Sequence, residues 1–527
     1  MMRAKIRTCC VTWAVLMPMV LSACGGDGSE EGVTVVPTPT PAVGAIPNDF
    51  DSDAHMAVRA ALPTASTVSA LAVASNRCET GAFPAFQVWP TAQLSSPAQP
   101  AASGTPLIRQ IRDGQVIATY DSLGKSGCYQ PENNDASPDP SCGVFSRDFG
   151  RNWREGDVFE IYPAVYEGED QQPWIGPAYS THAQYNTREP TVPRNITLRG
   201  ITVDGKRPVI RLSASGASNN TLGQGLVYVD ESSGITLENL DIDGGTAGSV
   251  GKAGVYVRAG ENLTLRNVRV SGFGRVDANG IFVAGDASGV LRLDGLELSG
   301  NGGDSGPEHN IYVNASHVDD NFTVWMTGSY SHDVYYGHTF KSRAQVNLLE
   351  GNYFQGGVGG SRQAEAYLVD LPEGGRALLR NNLLIKNASG DNSNGALVTY
   401  AVEGAPAGRT QSLVIEHNTF MAYAKTYDGQ HLIYPIFTRY QSDDGTSTWP
   451  FAKVAVQNNV FVGFCGTQGR AVYRGDAAWT LDFDDLNAGF SPFVKTMQGN
   501  AQTVGRPSYV HQSSSQQRQT ALAGAFD

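Results

Sequence analysis

The segment from Gly337 to Phe354 (GHTFKSRAQVNLLEGNYF) carries the residues best suited to chemistry. It presents Lys341, Ser342 and Arg343 where neighbouring segments have apolar residues, and His338 comes just before. Two fixed cations are costly to keep on a strand unless an anionic group meets them. Because residues i and i+2 of a strand share a face, we expect Lys341 and Arg343 to lie side by side on the outer face.

Two adjacent cations could bind the carboxylate of a uronic acid. β-Elimination from a polyuronide needs that carboxylate neutralised, a base for the C5 proton and an acid for the leaving oxygen. We expect Arg343 to neutralise the carboxylate and Lys341, with a pKa lowered by its cationic neighbour, to act as the base. The acid and the walls of the groove would come from residues at the same end of neighbouring repeats, namely His338, His309, Tyr335, Tyr336 and Glu308.

A repeat of short apolar segments surrounds this site and predicts the fold. Segments such as GLVYV (225–229), GVYV (254–257) and GIFV (280–283) recur at steps of 26 to 30 residues, with one double step of 56 that Gly337–Arg343 fills. Each unit is too short for a crossover helix and cannot bury its apolar face alone, whereas stacked coils can. A leucine-rich repeat would need an invariant leucine frame, whereas the frame here is rich in Val and Ile and has no helix-forming stretch.

The expected fold class is therefore all-β, a right-handed parallel β-helix over residues 155–480. The segment EGDVFEIYPAVYEGE (155–169) resembles the first coil of such proteins. Four asparagines share one register, each two residues before an apolar residue, and we expect their amides to stack at one corner of the coils. These are Asn352, Asn382, Asn418 and Asn459.

The first residues predict export. A basic stretch precedes the apolar run Val11–Leu21, which closes with Leu-Ser-Ala-Cys. This ending is similar to the lipobox of bacterial lipoproteins, and the resemblance implies cleavage after residue 23, lipidation of Cys24 and attachment to the bacterial cell envelope, with the outer membrane expected. Residues 24–52 then form a Pro/Thr-rich tether, 53–154 an irregular accessory or capping region with strand-like stretches at Leu107–Ile111 and Val116–Tyr120, and 481–527 a C-terminal cap or tail.

Charge and cysteine content narrow the partners. The whole chain has a net charge of −13, and removal of residues 1–23 leaves 35 basic and 51 acidic residues, a net charge of −16. This balance disfavours nucleic acid as a partner. The partners that we expect are an acidic polysaccharide and, through the lipid, a membrane. We expect the protein to be a monomer.

Four cysteines remain for two disulfides in an oxidising compartment, and we expect Cys128 with Cys142 and Cys78 with Cys465.

No cofactor is expected. The sequence has no metal-ligand spacing of cysteines and histidines, and it shows no acidic cluster for Ca²⁺. The acids Asp277, Asp304, Asp319 and Asp320 are interpreted as loop residues, and His332-Asp333 as a turn. A glycosidase would need grouped carboxylates, and we find no acidic pair on a strand beside the basic segment.

The strand around Lys341 resembles the Asn-Lys-Ser strand of the alginate lyase and chondroitinase B group over about 120 residues from Glu308. These are β-helix enzymes that use a lysine as base and an arginine of the following coil as acid. The resemblance implies that Lys341 is the base and Arg362 the acid, although the family's Leu-Arg-His stretch is absent. The segment is also similar to bacterial β-helix proteins with GH-x-x-KSR followed by DLP-x-GG. A uronan C5-epimerase and a non-catalytic binding or adhesion protein remain alternatives.

Overall fold

The structure is a computed structural model, and it describes residues 98–124, 144–145, 153–168, 171–176, 194–213, 225–245, 251–276, 278–303, 308–315, 322–356, 364–386, 395–406, 408–422, 433–438, 451–457, 459–462, 470–474, 480–482 and 501–503. Several predictions lie outside the described residues. They concern the signal peptide and tether, the acids Asp277, Asp304, Asp319 and Asp320, Arg362, and the cysteines Cys24, Cys78, Cys128, Cys142 and Cys465.

The described residues are almost entirely strands, as expected for an all-β chain, and most strands pair in parallel. Two sets of them, called row A and row B here, belong to one 22-stranded sheet. Row A contains Trp174–Ile175, Gly225–Val229, Ile311–Val313, Phe340–Ser342, Tyr367–Leu371, Gly395–Tyr400, Ile433–Thr438 and Arg470–Arg474. Row B contains Val158–Ile161, Thr197–Gly200, Thr236–Glu238, Thr323–Thr327, Val346–Glu350, Arg376–Arg380, Gln411–Glu416 and Phe451–Gln457. Two long strands, Ala253–Arg266 and Asn279–Asp294, run through both rows and join them.

An 11-stranded sheet forms row C. Its strands are Val165–Glu167, Val209–Arg211, Asp241–Asp243, Arg269–Ser271, Glu297–Ser299, Tyr330–His332, Tyr353–Gln355, Leu383–Lys386, Thr419–Ala422, Val460–Val462 and Ala501–Thr503. The remaining elements are short strands at Ser232–Ser233 and Thr480–Asp482, two small pairs (Gln99–Pro100 with Lys206–Arg207, and Tyr336–Gly337 with Ala364–Glu365) and a 3-10 helix at Phe273–Val276. From Phe340 to Lys386 the chain passes through rows A, B and C twice in the same order.

The register of row A agrees with the repeat in the sequence. Val227 pairs with Val255, which pairs with Ile281, which pairs with Ile311. The strand Phe340–Ser342 fills the double step, between Ile311–Val313 and Tyr367–Leu371. Within this strand Ser342 takes the position next to Val313, and Lys341 the position next to Tyr312.

The apolar core follows from this alternation. Phe340, Val313, Ile281 and Val369 are completely buried in one continuous cluster that extends from Ile108 to Val456. Every second residue of a row A strand therefore points to the core, and the residues between them point to the outer face.

The predicted asparagine ladder is confirmed. The amide of Asn352 donates to Asn382 Oδ1 at 3.1 Å, Asn382 donates to Asn418 at 2.9 Å, and Asn418 donates to Asn459 at 3.0 Å. Each amide also donates to a main-chain carbonyl, for example that of Leu349 for Asn382. All four side chains are buried, so the ladder supplies partners to polar groups that water does not reach.

An antiparallel hairpin precedes the rows. Ile108–Arg112 pairs with Gln115–Tyr120 and also, antiparallel, with Val158–Ile161 of row B. The two strand-like stretches expected in residues 53–154 therefore form strands and continue the sheet. Buried Asp157 fixes the hairpin, since it accepts hydrogen bonds from Arg112 at 2.8 Å and Gln110 at 2.7 Å.

Candidate functional site

Lys341 lies on the outer face of row A, as predicted. Phe340 and Ser342 are completely buried on the core side, and the Nζ atom of Lys341 lies 5.9 Å from the ring centre of Tyr312 on the preceding strand. On the next strand its paired residue is Asp370. The strand alternation that the sequence predicted thus determines which way the lysine points.

A column of aromatic rings leads along this outer face to Lys341. The centres of successive rings are 4.3 to 5.5 Å apart, with one residue from each strand: Trp174, Tyr228, Tyr256, Phe282 and Tyr312. The first three side chains are more than nine-tenths buried, and their rings contact one another. The column therefore stabilises the outer face, and its buried members do not offer free ring faces to a sugar.

Three carboxylates of the chain surround the two cations. Lys341 Nζ lies 2.9 Å from Asp370 Oδ2 and 3.0 Å from Glu403 Oε1. Arg343 Nη1 lies 2.8 Å from Glu373 Oε1, and its Nη2 contacts the other oxygen of Glu403. With Arg409, which lies 3.1 Å from Glu373, these residues form an ion cluster of three cations and three anions.

This arrangement corrects two expectations. The two cations do not require an external anion, because the carboxylates of Asp370, Glu373 and Glu403 already neutralise them. A group of carboxylates also lies beside the basic strand, where the sequence had predicted none. One of these carboxylates could have been predicted from the segment AYLVDLPEGG (366–375), because the repeat alignment places Asp370 beside Lys341. Glu403 had no such signal, because it lies in a loop after the strand Gly395–Tyr400.

The pKa of Lys341 is raised, not lowered as the sequence analysis expected. Burial would lower this pKa, but the Asp370 carboxylate and then Glu403 outweigh that effect. Burial likewise would raise the pKa of Glu403, but Arg343 and Lys341 outweigh it and the pKa is lowered. Lys341 is thus an ammonium ion at neutral pH, and its role as proton acceptor stays a prediction that this arrangement does not favour.

Two predicted histidines lie beside Lys341. The rings of His309 and His338 stack with centres 4.6 Å apart, and the ring of Tyr367 stacks on His338 at 5.0 Å. Burial lowers the pKa of His338 to about 4 and that of His309 well below its ordinary value. Both imidazoles are therefore neutral at neutral pH, so neither provides an imidazolium as the acid.

Hydrogen bonds fix the histidine tautomers. Nδ1 of His338 accepts the main-chain N–H of Tyr367 at 3.1 Å, and Nδ1 of His309 accepts that of His338 at 3.0 Å. The proton of each neutral ring therefore resides on Nε2. In His338 this atom lies 3.4 Å from Asp370 Oδ2, so Asp370 faces both His338 and Lys341.

The other predicted residues lie at the corner before the strand. Gly337 has a φ of 100°, and a Cβ there would collide with the carbonyl oxygen of Glu308, so glycine permits the close approach of these two chain segments. Tyr336 pairs with Ala364, and the Cβ of Tyr335 lies against Gly274. Glu308, Tyr335 and Tyr336 border the strand, whereas the ion cluster itself is built from other residues.

A separate buried pair lies in row C. His332 Nδ1 lies 2.6 Å from Asp333 Oδ2, and Glu297 Oε1 lies 3.9 Å from the other ring nitrogen. Burial would lower the pKa of His332, but Asp333 and Glu297 outweigh it and the pKa is raised. The residues interpreted as a turn thus also form a side-chain hydrogen bond, with Asp333 at a φ of 43°.

Among the described residues, no group of histidines, cysteines or acids has the arrangement of a metal site, and none of the helices there is long and apolar enough for a membrane span. No family model matches the chain, and neither does a curated protein or a solved structure.

Proposed function

We propose that this protein binds a uronate-containing polysaccharide at the cation pair (Lys341 and Arg343) and cleaves it by β-elimination. The observation that carries the proposal is the position of Glu403. Its carboxylate bridges Lys341 Nζ and the guanidinium of Arg343 with one oxygen on each. The pair therefore has the spacing to hold one carboxylate between an ammonium and a guanidinium, as a uronate requires.

We further infer that rows A, B and C are the three faces of the expected right-handed parallel β-helix. Parallel pairing in all three rows, the recurring order A, B, C and the asparagine ladder support this fold. In such a solenoid the outer face of row A would be an extended surface along the stacked coils, a shape suited to a polymer. Export and the lipid anchor at Cys24 remain predictions about where this surface would meet its substrate.

The chemistry assigned to the site follows the observed charges. A carboxylate between Lys341 and Arg343 is neutralised, which acidifies the C5 proton of the uronate. A base removes that proton, the C–H electrons form the C4–C5 double bond, and the C4–O bond breaks as the leaving oxygen takes a proton. Tyr312 is our candidate for this base, because its hydroxyl oxygen accepts a hydrogen bond from Arg343 Nε at 3.1 Å and is thus adjacent to the bound carboxylate.

Glycoside hydrolysis fits the site less well. It needs two carboxyl groups that reach the scissile bond from opposite sides. Asp370 is only 1% exposed and is occupied by Lys341, while Glu373 binds two arginines. Glu403 is the one carboxylate of the ion cluster that is largely accessible, with 43% of its side chain exposed.

Binding without catalysis is the second candidate. It is favoured by the burial and fixed tautomers of His309 and His338. Because these features make the histidines poor proton carriers, catalysis would depend on the tyrosines alone. The two functions share the cation pair and differ in product formation.

A panel of acidic polysaccharides tests both candidates. Wild-type protein is incubated with polygalacturonate, alginate and chondroitin sulfate, and both binding and the ultraviolet absorbance of unsaturated uronide ends are measured. Binding with unsaturated product supports the lyase, and binding without product supports the second candidate. If no acidic polysaccharide binds, the proposed function is wrong.

A further inference from the structure

We propose that Glu403 is an internal competitor, a carboxylate that occupies the uronate position and that an acidic ligand displaces. The proposal rests on the proposed function, since it concerns the same cation pair. It assigns Glu403 a role that is neither catalytic nor simply structural.

The exposure of the three partners supports this assignment. Lys341 and Arg343 have side-chain exposures of 10% and 17%, whereas that of Glu403 is 43%. Glu403 approaches the cations from the loop after Gly395–Tyr400 rather than from a row A strand. It is therefore the partner that solvent, and a ligand, can reach first.

The cations keep partners when Glu403 leaves. Lys341 retains Asp370 at 2.9 Å, and Arg343 retains Glu373 at 2.8 Å and the hydroxyl of Tyr312 at 3.1 Å. Displacement of Glu403 thus does not strand an unpaired buried charge, which would be prohibitively costly. The cost is limited to the two contacts of Glu403, and an incoming carboxylate replaces both.

The class of ligand that can displace Glu403 follows from this exchange. A uronate carboxylate restores the charge balance that Glu403 provided, whereas a neutral sugar removes Glu403 and puts no anion in its place. The closed state has Glu403 on the two cations, and the open state has it displaced. A ligand shifts the equilibrium only if it binds the open state more tightly than the closed one, and here only an anion does so. Because Glu403 is tethered, its effective concentration is high, and it lowers the apparent affinity of every carboxylate ligand by the same factor.

The test compares wild type with Glu403→Gln and with a matched control, Glu231→Gln. Glu231 is also exposed and pairs with an arginine, Arg258, so its substitution changes net charge equally. Polygalacturonate and its fully methyl-esterified form, which lacks the carboxylate, serve as probes in affinity measurements at fixed ionic strength. We expect Glu403→Gln to bind polygalacturonate about tenfold more tightly than wild type and the control to be unchanged. We also expect the wild type to bind the ester far more weakly than the acid.

Each result decides between the claims. If wild type binds polygalacturonate and Glu403→Gln binds it equally or more weakly, the role of Glu403 is wrong while the proposed function stands. An equal gain in Glu231→Gln also overturns it, because net charge then explains the effect. If wild type binds none of polygalacturonate, alginate and chondroitin sulfate, the proposed function itself fails. Thermal unfolding checks that the variant is folded, and Glu403→Asp, too short to bridge both cations, replaces it if it is not.

Discussion

Lys341 and Asp370 are paired neighbours on adjacent strands, and their charged atoms lie 2.9 Å apart on the outer face of row A. Asp370 also accepts a hydrogen bond from Thr399 at 2.5 Å and faces Nε2 of His338. A carboxylate that is 1% exposed and has these neighbours holds the lysine in one position. The rest of the site depends on that position, because Lys341 in turn contacts Glu403.

Replacement of Asp370 by Asn should therefore destabilise the fold. The substitution removes the anion that compensates a mostly buried ammonium, and we expect a loss of about 2 kcal/mol, less than for a fully buried pair because Glu403 remains. Urea unfolding measures the change. Asp294→Asn is the control, since its side chain is 51% exposed and should lose at most about 0.5 kcal/mol. Equal effects of both variants would contradict the positioning role.

The buried histidine next to the cluster predicts a pH dependence of stability. The pKa of His338 is about 4 in the folded protein and about 6.5 when unfolded, so the unfolded chain binds the extra proton between these values. Stability from this group is therefore present above pH 6.5 and is lost as the pH falls towards 4. The shift corresponds to about 3 kcal/mol.

The measurement is urea unfolding of wild type and His338→Gln at several pH values. Carboxylates also lose stabilising interactions in acid, so the slope in the variant provides the baseline. We expect the wild type to lose more stability than His338→Gln between pH 6.5 and 4. Parallel curves would show that the ring is accessible to protons in the folded state.

The asparagine ladder makes a third prediction, on stability alone. Asn418→Ala removes the acceptor for both the main-chain N–H and the side-chain amide of Asn382. Because those donors are buried, we expect a cost of about 2 to 4 kcal/mol in unfolding free energy. A cost below about 0.5 kcal/mol, as for a surface asparagine, would mean that the ladder is dispensable.

The sequence was more informative about the fold than about the site, for a physical reason. Register and facing follow from the two-residue period of strands, so the repeat correctly predicted the outward direction of Lys341 and the shared corner of Asn352 and Asn382. Asp370 could also have been found in the same alignment. The position of Glu403 could not be found in this way, because Glu403 is a loop residue 60 positions beyond Arg343 and lies after a strand that is two pairings further along row A.

The error about Lys341 has a related origin. Its pKa depends on which charges lie within a few ångströms, and the sequence showed only the neighbouring Arg343. The adjacent cation alone would have lowered the pKa, as expected. The carboxylates of Asp370, on the next paired strand, and of Glu403, in a later loop, reverse the sign of the pKa shift.

The last prediction separates the roles of the tyrosine and the cations. Tyr312→Phe removes only the hydroxyl that accepts from Arg343 Nε, while the ring and its contact with Phe282 remain. If the hydroxyl transfers the proton, the variant should lose at least about a hundredfold in kcat on polyuronide, with binding changed by less than about threefold. Arg343→Ala should weaken binding itself by about tenfold or more, since the carboxylate contact exists before the reaction begins. Initial rates of unsaturated product and equilibrium binding are measured for both variants. Full activity of Tyr312→Phe would remove the tyrosine from the mechanism and leave the cation pair as a binding site whose catalytic base lies elsewhere.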